Sequence, residues 1–277
     1  MTTAMAEQVV NANQALWEKG DFTRIAESMR QSGDELVGGF GPLKGIRLLE
    51  LGCGDGTTAV PAAQRGAQVT GIDIARNLVA AGNARAAALG LDNLSFHEGD
   101  ASNLAGVADA SFDMAVTIFG AMFAPRPVDV AREMVRVVRP GGRIVMGNWI
   151  PNDPTLVAQV LRISSAYTPA PPAGFISPMT WGVEEQVIER FTAAGVAREN
   201  ITFSRETFTF RTPDSPAEFL ATFRDYYGPT MNAFAAARAQ GREAELQREL
   251  EELFVRENRS SEGTEIPATF LLVTVQR

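Results

Sequence analysis

The nine residues 48–56, LLELGCGDG, decide the fold of this chain. Their apolar first part, with Ile46 and Arg47 before it, predicts a strand, and the glycines at alternate positions predict a tight turn into a helix. Glycine lets the backbone adopt positive φ and lets a ligand approach where a Cβ would collide. The first N–H groups of the following helix point to the same place. This stretch therefore predicts a ligand-binding loop between a strand and a helix.

The chain on either side alternates short apolar segments with helical ones. Strands are predicted at residues 46–51, 68–73, 94–98, 112–119, 143–148, 201–210 and 268–275. Helices are predicted at residues 57–65, 75–89, 127–138, 183–194, 217–227 and 242–257. Strand and helix alternation at this spacing implies right-handed crossovers and a parallel sheet. The predicted fold class is α/β, a doubly wound, mostly parallel sheet of seven strands.

The two ends of the chain are predicted to surround this core. Residues 1–44 read as an N-terminal helical cap of two helices, the second capped by Asp21 and running to Leu36. Residues 45–277 form the main domain, with helical insertions at about 151–182 and 211–262. The two strands of the last part need a sheet to join, so we expect them to complete the same sheet, with the insertions over its active-site edge.

Composition narrows the function. The chain has 277 residues, a formal net charge of −8 and no basic run, so a nucleic-acid partner is not expected. Cys53 is the only cysteine, which predicts no internal disulfide and a cytoplasmic location. The sequence shows no signal peptide and no apolar run long enough to insert in a membrane. A monomer or a homodimer is expected.

Acidic residues beside the loop distinguish its ligand. Glu50 lies just before the glycines, where it would repel a diphosphate but suits an ammonium group. Asp73 ends the next strand, where a carboxylate can accept hydrogen bonds from both hydroxyls of a ribose. Thr57 stands where a dinucleotide fingerprint has its third glycine. These features favour a cationic nucleoside over a dinucleotide.

With these residues in place, the sequence resembles the class I methyltransferases that use S-adenosylmethionine (SAM), in the small-molecule group of the ubiquinone and menaquinone C-methylases. The resemblance is close over residues 45–150 and implies a Rossmann-like fold with an antiparallel last strand. Residues 50–56 resemble motif I, 99–101 the adenine site, 112–119 motif IV and 139–144 the turn after it. Asp73 corresponds to the ribose-binding acid, and Asp100 to the acid that accepts from the adenine amine, with Ala101 donating its backbone N–H.

The resemblance implies a set of cofactor-binding residues and a weaker set for the acceptor. The cofactor set is Trp17, Phe22, Glu50, Gly52, Cys53, Gly54, Gly56, Thr57, Asp73, Ile74, Asn77, Asp100, Ala101, Ser102, Ile118 and Phe119. The acceptor set is Met122, Phe123, Trp149, Trp181 and Tyr226. Trp17 and Phe22 are either core contacts or part of a lid over SAM. Each residue of the acceptor set, taken alone, fits a core position better than a site position, whereas together they would line an apolar pocket.

The sequence predicts the reaction class but no catalytic group. Methyl transfer from a sulfonium needs an aligned nucleophile in a dry cavity, and a general base is optional. Tyr226 and Tyr227 are the weak candidates for such a group. No His, Cys, Asp and Glu set has metal-ligand spacing, so no metal is expected. A small-molecule acceptor is the main prediction, and an NAD(P)-dependent oxidoreductase and a SAM-binding protein without catalysis stay open as alternatives.

Overall fold

Seven strands form one sheet in the computed structural model, which describes residues 12–277. The strands are β1 Arg47–Leu51, β2 Gln68–Asp73, β3 Leu94–Glu98, β4 Phe112–Ile118, β5 Val138–Trp149, β6 Ile201–Thr212 and β7 Thr264–Gln276. Their spatial order is β3-β2-β1-β4-β5-β7-β6. Strands β1 to β5 pair in parallel, and β7 runs antiparallel to both β5 and β6. The predicted fold class, including the antiparallel last strand, is confirmed.

Eleven α-helices connect and cover these strands within the described residues. They are α1 Ala12–Glu18, α2 Phe22–Glu27, α3 Arg30–Gly38, α4 Ala59–Gln64, α5 Arg76–Ala88, α6 Pro127–Val137, α7 Leu156–Ser165, α8 Glu184–Ala193, α9 Pro216–Tyr226, α10 Gly228–Ala239 and α11 Glu243–Glu257. Short 3₁₀ turns occur at Ala121–Phe123, Pro178–Gly182 and Arg198–Asn200. None of the helices between residues 12 and 277 has the length and apolar character needed to cross a bilayer.

Alternate residues of the central strand face opposite layers of the core. On β1, Leu49 belongs to the larger apolar cluster, which includes Met134 of α6. Its neighbour Leu48 belongs to the second cluster, with Val60 of α4 and Phe96 of β3. The period of two along a strand thus buries both faces of β1, as a parallel sheet covered by helices requires.

The topology places a crevice above β1 and β4. The chain moves outward from β1 to β2 and β3, then returns to the other side of β1 with β4, so the strand order reverses at this point. In such sheets ligands bind beyond the carboxyl ends of the strands at the reversal. Leu51, Asp73 and Ile118 end β1, β2 and β4 at this edge.

The predicted second cap helix is broken into α2 and α3. The break falls at Ser28, whose hydroxyl donates to the Ile25 carbonyl oxygen at 2.6 Å. The Ser28 carbonyl oxygen accepts a hydrogen bond from the Arg211 backbone N–H of β6 at 2.8 Å. Because this carbonyl is taken by a strand far away in sequence, it does not continue the helical ladder. Nothing local in the sequence signals that partner.

Two helices were not predicted. Helix α7 lies in the predicted insertion 151–182, between Pro154 and Pro169, so these prolines flank it without interrupting it. Helix α10 follows α9 directly, with Gly228 and Pro229 in its first turn. Proline is tolerated there because the first N–H groups of a helix have no partner within it.

Three strands are longer than predicted, and the smallest change is in β6, which runs two residues further, to Thr212. Strand β5 begins at Val138 and so includes the predicted glycine turn. The turn is paired with the end of the chain, because the Gly141 N–H donates to the Arg277 carbonyl oxygen and the Arg277 N–H donates to the Gly142 carbonyl oxygen. Strand β7 begins at Thr264 and includes Pro267, which pairs only with β6 because β5 joins β7 from Phe270 onward. Proline is accommodated in a strand where one side has no partner.

Candidate active site

A cavity lies above the carboxyl ends of β1, β2 and β4, and the space between its lining atoms amounts to about 1240 Å³, part of which is open to solvent. One half is lined by the glycine loop and four acidic side chains, and we call it the acidic half. The other half, which we call the apolar chamber, is lined by Trp17, Phe22, Ile25, Met29, Phe119, Phe123, Trp149, Val157, Val160, Leu161, Phe208, Phe210, Phe223 and Tyr227. The two halves are parts of one continuous space.

Two glycines of the loop, Gly52 and Gly54, are required for different physical reasons. At Gly52, with φ +63°, an added Cβ would lie 2.6 Å from the Cα of Gly120, so the loops after β1 and β4 touch backbone to backbone. At Gly54, with φ +54°, an added Cβ would meet no protein atom within 4 Å. Gly52 is therefore required by packing, whereas Gly54 keeps space open beside the cavity.

Glu50 is a buried carboxyl group with one unused oxygen. Its exposed fraction is 2%, and its Oε1 atom accepts a hydrogen bond from the Thr58 hydroxyl. Its Oε2 atom has no hydrogen-bond partner among the described residues. Burial raises the pKa of Glu50 to about 8, against the opposing effect of the Thr58 hydrogen bond, and the charges of Asp73 and Asp55 add to the rise. The site is thus built to receive a hydrogen-bond donor, preferably a cation, at Oε2.

Asp73 connects β2 to the glycine loop. Its Oδ2 atom accepts the Gly54 backbone N–H at 2.8 Å, and its Oδ1 atom accepts the Ala75 N–H at 2.9 Å. Burial raises the pKa of Asp73 above its ordinary value, while these backbone donors act in the opposite direction. Each oxygen keeps a lone pair, so the carboxylate is able to accept two more hydrogen bonds at the cavity wall.

An ion pair holds α3 against the outer side of the loop. The Arg30 guanidinium binds both carboxylate oxygens of Asp55, with Nη1 2.9 Å from Oδ1, and Nη1 also donates to the Thr57 hydroxyl. The backbone of Gly33 comes so close that an added Cβ would lie 2.5 Å from the Thr57 carbonyl oxygen. Arg30 and Gly33 belong to the predicted cap, but no sequence pattern indicates that Arg30 supports the loop.

Asp100 lies at the end of the acidic half. Its Oδ1 atom accepts hydrogen bonds from the Ser102 backbone N–H at 2.8 Å and the Ser102 hydroxyl at 2.6 Å. Arg126 approaches Oδ2 at 3.5 Å and donates to the same hydroxyl. Ser102 and Arg126 therefore orient Asp100 without lining the cavity themselves.

Aromatic rings form two groups around the apolar chamber. Phe119 stacks on Trp149, with ring centroids 3.6 Å apart and planes 11° apart, and it holds an uncommon φ of +64° at the end of β4. On the other side Trp17 meets Phe123 at 4.9 Å and Tyr227 at 6.0 Å between centroids. Rings on both sides leave a slot whose walls are apolar.

Most of the predicted site residues line this cavity. Those that do are Trp17, Phe22, Glu50, Gly52, Cys53, Gly54, Thr57, Asp73, Ile74, Asp100, Ala101, Ile118, Phe119, Phe123, Trp149 and Tyr227. The others lie outside its lining, and they are Gly56, Asn77, Ser102, Met122, Trp181 and Tyr226. Cys53 is buried, its pKa is raised by burial, and its thiol is packed under the loop against Gly71.

The residues outside the lining have other structural surroundings. Gly56 packs on Phe96, where an added Cβ would lie 2.8 Å from the ring. Asn77 approaches the Gly20 carbonyl oxygen at 3.5 Å. Met122 and Trp181 are each 1% exposed in the core, and Trp181 carries the Arg190 guanidinium over its ring. Tyr226 is exposed beside Arg24, because consecutive residues at the end of a helix project in different directions and Tyr227 faces inward.

Sequence reasoning missed many lining residues. They are Asn13, Ile25, Met29, Thr58, Ile72, Leu78, Gly120, Ala121, Ala124, Val157, Val160, Leu161, Phe208 and Phe210. The alternation of Phe208 and Phe210 marks one face of β6, but it does not show that this face meets a cavity. Among the described residues, no group of three or more His, Cys, Asp and Glu side chains is placed to hold a metal ion.

Known proteins resemble this chain in sequence and in fold. A family model described as a methyltransferase domain matches residues 49–146. An uncharacterised protein of Mycobacterium tuberculosis, Rv1403c, is 34% identical over 236 residues, which cover 84% of this chain and 82% of that protein. The ubiquinone biosynthesis O-methyltransferase of Paracidovorax citrulli is 35% identical over 106 residues, 38% of this chain and 44% of that enzyme. The chain belongs to the class I SAM-dependent methyltransferases.

A solved structure of this family agrees in fold along almost the whole chain. It is phosphoethanolamine N-methyltransferase 2 of Haemonchus contortus, in complex with phosphomonomethylethanolamine and S-adenosylhomocysteine. The TM-score is 0.59 at 17% identity, over 97% of this chain and 60% of that one. As a member of this family, the protein is an enzyme whose cofactor is SAM.

The charges around the cavity fit that cofactor. The lining contains Glu50, Asp55, Asp73 and Asp100, and among the described residues it contains no Lys, Arg or His. A pyrophosphate needs positive charge or free backbone donors and is disfavoured beside these carboxyl groups. An ammonium or a sulfonium is attracted by the ionised carboxylates, and an ammonium also favours ionisation of Glu50, whose pKa burial raises. The open space at Gly54 and the unused Oε2 atom of Glu50 point the same way. A nicotinamide dinucleotide does not suit this lining.

Proposed function

We propose that this methyltransferase transfers the methyl group of SAM by in-line displacement to a small, largely apolar acceptor, a ring or hydrocarbon that is held in the apolar chamber. The observation that carries the proposal is the continuity of the acidic half with a chamber walled by aromatic and aliphatic side chains. A charged ligand and an apolar one would thus lie next to each other in one continuous cavity. Such an arrangement supports reaction between two small molecules.

Each acidic residue has a proposed role in holding the cofactor. Glu50 binds the ammonium of the methionine part through Oε2, and Asp73 accepts hydrogen bonds from the ribose hydroxyls. Asp100 accepts from the adenine amine, with the Ala101 backbone N–H donating to the ring. Trp17 and Phe22 belong to the proposed helical cap of residues 1–44 and exclude water from the cavity.

The chain's contribution to the chemistry is placement and exclusion of water. When bound, SAM supplies a methyl group on a positively charged sulfur, so the leaving group needs no activation. Within the described lining, no His, Lys or Arg is present to act as a base, and the acids lie in the acidic half. The aromatic walls therefore position the nucleophile and keep the cavity dry, and an acceptor that is already nucleophilic fits this site.

Binding of the product tests the cofactor part of the proposal. Asp73→Ala removes the carboxylate proposed to hold the ribose, and we expect S-adenosylhomocysteine affinity to fall at least 100-fold, about 3 kcal/mol, for two hydrogen bonds to a charged group. Asp153→Ala is the matched control: Asp153 is also buried and accepts a backbone N–H, from Thr155, outside the cavity. Calorimetry of both variants and of the wild type gives the affinities. Wild-type affinity in Asp73→Ala would contradict the assignment.

Turnover tests whether the protein transfers a methyl group at all. Incubation of the wild type with SAM labelled in the methyl group and a library of small apolar acceptors should give labelled product, and the Asp73→Ala variant should give none. Tight SAM binding without transfer to any acceptor of the library would favour a SAM-binding protein without catalysis.

A small-molecule acceptor, a monomeric or homodimeric assembly and a cytoplasmic location complete the proposal. The location is proposed because the chain has a single cysteine.

A further inference from the structure

Tyr227 carries the only hydroxyl group in the described lining of the apolar chamber. Among the side chains that define the chamber, the other nitrogen atoms are the indole nitrogens of Trp17 and Trp149, which donate hydrogen bonds and do not accept them. Asn13, one turn before Trp17 on α1, is a further polar lining residue of the cavity outside that set. Tyr227 is buried, with an exposed fraction of 6%, yet its hydroxyl has no hydrogen-bond partner among the described residues. Burial raises the pKa of Tyr227, so its hydroxyl keeps its proton.

The position of Tyr227 is fixed by its surroundings. It precedes α10 with an extended backbone, and its ring packs on Phe223 at 5.5 Å and Phe22 at 6.1 Å between centroids. Its backbone N–H donates to the Phe223 carbonyl oxygen at 3.1 Å. A donor held rigidly in an apolar wall loses little freedom when it forms a hydrogen bond, so its contribution to binding is large.

The chamber offers nothing to neutralise an anion. A phosphate or carboxylate placed there would lose its hydration without meeting a Lys, Arg or His, and four acids line the neighbouring half. An uncharged acceptor avoids this cost. Several lining residues of the chamber are aromatic, among them Phe119, Trp149 and Phe208, and aromatic walls suit a planar ring.

We propose that the acceptor is an uncharged ring compound bearing a hydroxyl or carbonyl oxygen, and that Tyr227 positions it by donating a hydrogen bond to that oxygen. This inference rests on the proposed function, because it assumes that the apolar chamber holds the acceptor. It assigns Tyr227 as a positioning residue that selects acceptors with an oxygen. It also excludes phosphorylated and carboxylated acceptors.

Three probes with one ring system test this selection: 2-naphthol, naphthalene and 2-naphthyl phosphate. Their binding to the full chain is measured by ligand-observed NMR titration with S-adenosylhomocysteine at saturation. In the wild type, we expect 2-naphthol to bind at least tenfold more tightly than 2-naphthyl phosphate. In Tyr227→Phe, we expect 2-naphthol affinity to fall roughly tenfold and naphthalene affinity to stay unchanged.

The neighbouring tyrosine supplies the control. Tyr226→Phe changes the same functional group one residue earlier, outside the cavity, and should leave all three affinities at their wild-type values. A loss of 2-naphthol affinity that is matched by an equal loss for naphthalene would show that Tyr227 acts only through packing, and would overturn the proposal. An unchanged 2-naphthol affinity in Tyr227→Phe, tight binding of the phosphate, or no binding of 2-naphthol to the wild type would overturn it as well.

The cofactor separates this proposal from the one on which it rests. S-adenosylhomocysteine affinity in Tyr227→Phe should equal that of the wild type, which shows that the variant is folded and that the acidic half is intact. If the wild type itself failed to bind S-adenosylhomocysteine, the proposed function would fail. If it bound normally and the ring probes did not discriminate, only the role of Tyr227 would fail.

Discussion

Binding of the cofactor should release a proton from Glu50. In the ligand-free site its pKa is raised to about 8 by burial, so at pH 7 only about one molecule in ten carries the charged carboxylate. An ammonium at Oε2 favours the charged form, which means that the group ionises as the ligand binds. Protein affinity for the ligand therefore rises with pH until about 8 and levels off above it.

The size of the effect follows from that pKa. Each pH unit below 8 should weaken S-adenosylhomocysteine binding about tenfold, or about 1.4 kcal/mol. The number of protons released per ligand bound should be about 0.9 at pH 7, about 0.5 at pH 8 and about 0.1 at pH 9. The product is a better probe than SAM because it lacks the sulfonium, whose positive charge makes the ammonium of SAM more acidic.

Calorimetry in two buffers with different ionisation enthalpies measures both quantities. Glu50→Gln, which has no titrating group at this position, should bind more weakly at pH 8 and show little dependence on pH between 6 and 8. Any proton release that persists in Glu50→Gln belongs to the ligand or to Asp73 and is subtracted. Wild-type binding that is independent of pH between 6 and 8, with no excess proton release over Glu50→Gln, would refute the reasoning.

Two further substitutions test the loop. Gly54→Ala should weaken S-adenosylhomocysteine binding at least tenfold because its Cβ enters the cavity, whereas Gly106→Ala, also at positive φ with open space around it, should share the backbone strain and leave binding unchanged in calorimetry. Arg30→Ala should lower the free energy of unfolding by about 3 kcal/mol in urea titrations, because it leaves the buried Asp55 carboxylate without its partner. Arg65→Ala breaks the exposed pair with Asp34 and should cost less than about 1 kcal/mol, and equal losses in the two variants would contradict the distinction.

The acidic half could be predicted from the sequence because its residues are close to one another along the chain. Glu50, Gly54 and Asp73 lie within 24 positions, and strand–turn–helix geometry alone brings them together. The apolar chamber could not be predicted in the same way. Its walls come from α1, α2, the segment after β4, β5, α7, β6 and α9. Their residues are apolar as in any packed core, and only their arrangement leaves an open space.

The sequence pattern does not determine which of Tyr226 and Tyr227 faces the apolar chamber. Both have the same functional group, and the sequence predicts both as weak catalytic candidates but only Tyr226 as an acceptor-binding residue, whereas Tyr227 is the one that lines the cavity. The end of α9 and the start of α10 decide which one faces the chamber, since the backbone turns at Tyr227. The break at Ser28 has a similar origin, because the partner of its carbonyl oxygen lies on β6.

The contact between Gly52 and Gly120 has a consequence for engineering this enzyme. Gly52 of the glycine loop touches Gly120, the residue after Phe119, through backbone atoms alone. No side chain lies between them that could change rotamer and absorb a displacement. If the wall of the apolar chamber at Phe119 were remodelled to admit a bulkier acceptor, the glycine loop would shift by a similar amount. Acceptor range and cofactor affinity should therefore change together in variants of this wall.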